Sequence, residues 1–143
     1  EKKLMDTKRF ALAVLAVFVF VFLLEFVVHG ILLKGMYIET AHLWRAEEDS
    51  KMIFIMLGQI LLSLVATFMF TKLHGVEFFN DNGMKFGILI GLILASPTIA
   101  SYCYMPVPFA LWISWVGAEL TKGIGAGITI SLVYPSDAQR QAL

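Results

Sequence analysis

Five polar residues stand within stretches otherwise built from Phe, Leu, Ile, Val, Met and small side chains: Glu25, His29, Gln59, Glu119 and Lys122. A carboxylate in hydrocarbon costs several kcal/mol, so each must face protein or a wet cavity and find a partner. Glu25 and His29 are four residues apart and share one helix face, as do Glu119 and Lys122 at a spacing of three. Three readings fit these residue types. The pairs can fix packing, since buried ion pairs often specify one arrangement. They can form a proton or cation site or a ligand pocket, the default for intramembrane ionisable groups. They can also hold a metal. No cofactor is expected, although one axial His29 ligand to a haem or chlorophyll-type pigment fits a phenylalanine-rich surrounding; His42 and His74 fall in loops on opposite sides and cannot complete a bis-histidine site.

The elements that must position these groups are membrane helices. Of the 143 residues, 59 % are apolar, far above a soluble average. The pattern predicts an all-α membrane protein, a single domain of four transmembrane helices in an antiparallel bundle. The spans run from about Phe10 to Leu33, Met52 to Thr71, Met84 to Tyr102 and Pro108 to Tyr134, each long enough for a core of about 30 Å. The first is too long for a signal-peptide core and lacks a small-residue cleavage site behind it, so it is expected to be retained. The loop 34–51 is polar but carries Met36, Tyr37, Leu43 and Trp44, as a partly helical segment on the membrane surface would. Asn80-Asp81-Asn82-Gly83 marks a turn, Pro97 a kink, and Pro106 and Pro108 a helix start.

Basic residues set the orientation. Lys2, Lys3, Lys8 and Arg9 precede the first span, Lys72 and Lys85 flank the middle turn, and Arg140 lies in the C-terminal tail. Lys34, Arg45 and Lys51 are diluted by Glu39, Glu47, Glu48 and Asp49. Both termini are therefore expected in the cytoplasm, with Tyr37, Trp44, Tyr102, Tyr104 and Trp112 as an outer aromatic belt. Counting from the outer helix ends at 1.5 Å per residue places His29 about 6 Å deep, Gln59 about 10 Å, Glu25 about 12 Å and Glu119 about 16 Å. Four polar residues from three helices can meet in one layer.

Small residues recur at every fourth position: Gly83, Gly87, Gly91 and Ala95 in the third span, Gly123 and Gly127 in the fourth. Such stripes let helix backbones approach closely in lipid. They predict packing between these two helices or a seam to another subunit or a second copy.

Other classes find little support. The 11 basic and 11 acidic residues cancel, which leaves no field for nucleic acid. A lone Cys103 excludes an internal disulfide and a Cys-x-x-Cys redox centre. Without a Gly-rich phosphate loop, a His-Glu-x-x-His run or a plausible Ser-His-Asp arrangement, the sequence leans away from an enzyme.

The run from His29 through Lys34 with Tyr37, then Leu43-Trp44-Arg45, Gly58-Gln59 and Gly87-Ile88-Leu89-Ile90-Gly91, resembles a family of short, uncharacterised bacterial four-helix inner-membrane proteins over Glu25 to Tyr134. The resemblance implies the fold and the bacterial inner (plasma) membrane, and no activity. The small multidrug-resistance transporters and the membrane-associated glutathione transferases are similar in architecture only. The leading expectation is an accessory or scaffolding subunit of a larger inner-membrane complex, with the lipid bilayer and other membrane subunits or a homo-oligomer as partners. The runner-up is a small oligomeric transporter or a proton- or cation-conducting protein that uses the intramembrane carboxylates.

Overall fold

A computed structural model describes residues 6–73 and 82–135. The tail residues Lys2, Lys3 and Arg140, the loop histidine His74, and Asn80 and Asp81 of the expected turn lie outside the described residues. Inside hydrocarbon, backbone groups must bond within their own segment, and the described residues are accordingly helical, with no strand among them. The elements are α1 (Thr7–Glu25), a π-helical segment (Phe26–Leu32), α2 (Lys34–Glu39), α3 (Met52–Leu73), α4 (Gly83–Ser101) and α5 (Phe109–Val133). Among the described residues, four stretches are long and apolar enough to cross a membrane: Thr7–Leu32, Met52–Leu73, Gly83–Ser101 and Phe109–Val133. The chain is an all-α, multi-pass membrane protein.

Local signals account for the ends. Asp6 caps α1, its carboxylate accepting from the Arg9 backbone N–H at 3.1 Å, and Asn82 caps α4 by accepting from the N–H groups of Met84 and Lys85 at 2.9 and 3.3 Å; each supplies an acceptor to orphan donors of a first turn. The helix α4 runs on through Pro97. Its C-terminal Thr98 carbonyl accepts from the Trp112 indole at 2.9 Å and from the Ser101 hydroxyl at 2.7 Å.

Helices α4 and α5 form the tightest pair, and the glycine stripes are the reason. A Cβ placed on Gly87 would come within 2.6 Å of the Gly123 carbonyl oxygen, and one on Gly127 within 2.6 Å of the Gly87 Cα. The two stripes therefore face each other inside one chain. Helix α1 packs on α5 where Gly125 leaves room for the Phe20 ring, and Val17 and Val21 of α1 join Phe70, Phe86 and Ile130 in the inner core. The Asp6 backbone N–H donates to the Tyr134 hydroxyl at 3.3 Å, which ties the start of α1 to the end of α5.

The first span departs from a plain α-helix. Its apolar content reads as continuous helix to Leu33, yet after Glu25 the chain widens into a π-helix closed by a bond from Leu33 N–H to the Val28 carbonyl at 2.9 Å. Such segments concentrate at functional sites. This one separates Glu25, which turns toward α5, from Leu33, which is buried with Val107 and Leu111 in a second cluster. The loop beyond is partly helical, with α2 followed by single turns at Ala41–Leu43 and Glu47–Asp49.

Candidate functional site: an intramembrane charge layer

Glu25, His29, Glu119 and Lys122 converge. The Lys122 ammonium lies 2.6 Å from Glu25 Oε1 and donates to both oxygens of Glu119 at 2.8 and 2.9 Å. Glu25 Oε1 is buried and makes no hydrogen bond of good geometry, so its tie to the ammonium is ionic. The other Glu25 oxygen is 3.4 Å from His29 Nε2. The histidine continues the chain of contacts, its Nδ1 lying 2.6 Å from the Tyr37 hydroxyl, which in turn accepts from the Trp115 indole at 2.7 Å. Charged and polar groups from α1, the π segment, α2 and α5 thus form one connected path from Glu119 to Trp115.

Backbone spacing explains how α5 contributes. Trp115, Glu119 and Lys122 follow one another by four and three residues, so all three lie on one face. That face meets the edge of α1 at which the π segment begins. The loop-side end of the site is closed by aromatic packing: the Tyr37 ring stacks on Trp115 at 6.4 Å between centroids, and Trp44 meets both edge-on at 5.8 and 5.9 Å. Trp44 is fixed by its indole N–H, which donates to the Thr40 hydroxyl at 2.9 Å. Tyr37 and Trp44 of the expected aromatic belt thus cap the site, whereas Tyr102 and Tyr104 are exposed.

Proton positions follow from the donors. Burial pushes the Tyr37 phenol above its usual range; the Trp115 hydrogen bond opposes this and the Glu25 charge adds to it. A neutral phenol that accepts from Trp115 still has its own proton to give, and His29 Nδ1 is in reach. A neutral imidazole then carries its proton on Nε2, facing the Glu25 carboxylate. Both ring nitrogens are engaged in this way, so an axial pigment ligand would have to displace Glu25 or Tyr37. Among the described residues no group of three or more His, Cys, Asp or Glu side chains is arranged to hold a metal. His42 sits in the single turn Ala41–Leu43.

Gln59 approaches from α3. It is 7 % exposed, and its side-chain oxygen is buried without a hydrogen-bond partner. With Glu25, His29 and Tyr37 it lines a cavity of about 550 Å³ between the C-terminal half of the first span and α3. Ser63 and Thr67 continue the same face of α3 inward at four-residue spacing, both fully buried; Ser63 donates to the Gln59 carbonyl at 2.7 Å, while the Thr67 hydroxyl has no partner. A polar stripe therefore descends from the cavity into the bundle.

Three of the groups that build this site carried no signal as isolated residues. Trp115 was detectable only through its spacing from Glu119 and Lys122, Tyr37 only once the loop folds back, and Thr67 only as the third member of a stripe. Fold and site together define a multi-pass helical membrane protein with a charged layer buried within its span. No protein-family model, curated protein or solved structure matches the chain.

Proposed function

We propose that this is a small transporter of the bacterial inner membrane, cytoplasmic at both termini, in which Glu25, His29, Glu119 and Lys122 hold a proton or a cation in exchange. The observation that carries this reading is the charge sum of the layer. Two carboxylates and one ammonium leave one negative charge uncompensated while His29 is neutral. At membrane depth an uncompensated charge is costly, so the layer gains by taking either a proton, on His29 or a carboxylate, or a cation. The stripe of Gln59, Ser63 and Thr67, with two unpartnered oxygens, supplies polar stations for passage toward the opposite face.

An accessory or scaffolding subunit is the other reading. It rests on the bulky apolar surfaces of α1 and α3, which lipid covers equally well, and the small-residue seams that favour a partner are consumed between α4 and α5. The two readings separate on reconstitution. In vesicles holding only this protein and a pH-sensitive dye, an imposed proton gradient should collapse faster than in protein-free vesicles, and Glu25→Gln should remove the difference. A wild-type rate equal to that of empty vesicles, with larger proteins co-purifying in fixed stoichiometry from native membrane, would establish the subunit instead.

A further inference from the structure

The cavity beside the charge layer has two unlike parts. Its deep wall carries Glu25, His29 and Gln59; its other wall is made by Phe22, Phe26 and Ile55, which are 43, 57 and 49 % exposed and so border the bilayer. A volume of about 550 Å³ matches a small organic molecule. Gln59 is the specific feature. It is more than nine-tenths buried, its oxygen is an acceptor without a donor, and leaving such a group unmet is unfavourable. The charged neighbours are Glu25 on the same wall and, behind it on α5, Lys122 and Glu119; His29 and Tyr37 are the remaining titratable groups facing the cavity.

We infer that this cavity binds a lipophilic primary ammonium, which enters sideways from the bilayer between α1 and α3, directs its N–H donors to Gln59 and Glu25, and lays its apolar body against Phe22 and Phe26. Charge selects a cation, because the layer with neutral His29 is one negative charge in excess. The orphan acceptor selects a cation that carries N–H, and the aromatic wall favours cations further. Protonation of His29 removes the excess charge, so proton and ammonium compete for the site. This inference names the substrate class of the transport reading and rests on it for its role, while binding itself can be measured without a gradient.

The test is equilibrium binding of 3,3-diphenylpropylamine to the protein in nanodiscs, with empty nanodiscs subtracted, beside 3,3-diphenylpropanol, 3,3-diphenylpropionate and the trimethylammonium analogue. The primary amine should bind at least about tenfold more tightly than the alcohol, the acid and the quaternary ion, as one charge-assisted hydrogen bond implies. Gln59→Leu, which leaves the ion pairs untouched, should weaken amine binding about tenfold and leave the quaternary ion unchanged, with thermal unfolding as the check on folding. Acidification of the protein should weaken amine binding, and His29→Gln should abolish that pH dependence. Equal binding of amine and alcohol, or an unchanged amine affinity in a folded Gln59→Leu protein, would overturn the substrate class. Glu25-dependent proton flux in vesicles would in that case leave the transport reading standing; selective amine binding without any flux would sustain the site and sink transport.

Discussion

Lys122 of α5 and Glu25 of α1 lie 2.6 Å apart, nitrogen to oxygen. The ammonium is shared with Glu119, so one cation holds two carboxylates and joins the first span to the last. Removing it leaves two buried anions without a counter-charge. Lys122→Met should therefore destabilise the fold by about 3 to 5 kcal/mol, the scale on which breaking a buried pair acts. Replacing all three together (Glu25→Gln, Glu119→Gln, Lys122→Met) should recover most of that loss. Thermal unfolding in mild detergent reads both, and a triple variant no more stable than Lys122→Met would show that the charges are not what couples the helices.

The α4–α5 seam predicts a contrast between two glycines of the same helix. Gly123 abuts the Gly87 and Gly91 backbones, whereas a side chain at Gly117 would meet nothing within 4 Å. Gly123→Leu should cost upwards of about 3 kcal/mol, the upper range for forcing atoms into a packed interior, and Gly117→Leu should be tolerated. Unfolding temperatures of the two variants decide it; similar values would mean that α4 and α5 do not approach as described.

Helix number and the lengths of the spans were legible from apolar runs, and the glycine stripes were legible as a seam, because lipid leaves the backbone few alternatives. Depth counting placed Glu25, His29, Gln59 and Glu119 in one layer and could not rotate the helices. Rotation is set by side-chain packing, here by Phe20 against Gly125 and by Lys122 reaching both carboxylates. The π segment was hidden because Phe26 to Leu32 is as apolar as any α-helical membrane run, and hydropathy does not distinguish i+4 from i+5 bonding. Tyr37 and Trp44 read as interface anchors; that they fold inward onto Trp115 depends on the long-range return of the loop, which no local pattern encodes.

Tyr37 makes a pH prediction outside the spans. Burial raises its phenol above the ordinary value, so the unfolded chain ionises first. The stability it contributes is complete below the ordinary tyrosine pKa of about 10 and is lost as pH climbs through the higher folded value. Denaturation midpoints measured at rising pH should thus fall more steeply for wild type than for Tyr37→Phe above that point. Parallel curves would show that Tyr37 is not buried against Trp115.

Thr67 separates stability from activity. Its hydroxyl is fully buried with no partner, so Thr67→Val removes an unsatisfied group and should raise stability by up to about 1 kcal/mol. On the transport reading the same change removes a polar station and slows proton flux several-fold, a pattern expected where a group is kept for function at a cost in stability. A variant both more stable and fully active would take Thr67 out of the path.

The charge layer itself is tested most directly by the current that protons cause on entering it. Membranes bearing the reconstituted protein are adsorbed on a capacitive electrode and acidified rapidly, so that any proton taken up within the bilayer appears as a transient current. Wild type should give such a transient and a folded Glu25→Gln protein should lose it. A wild-type response no larger than that of protein-free membranes would leave the layer a packing device, and a Glu25→Gln response equal to wild type would contradict an exchangeable charge at Glu25.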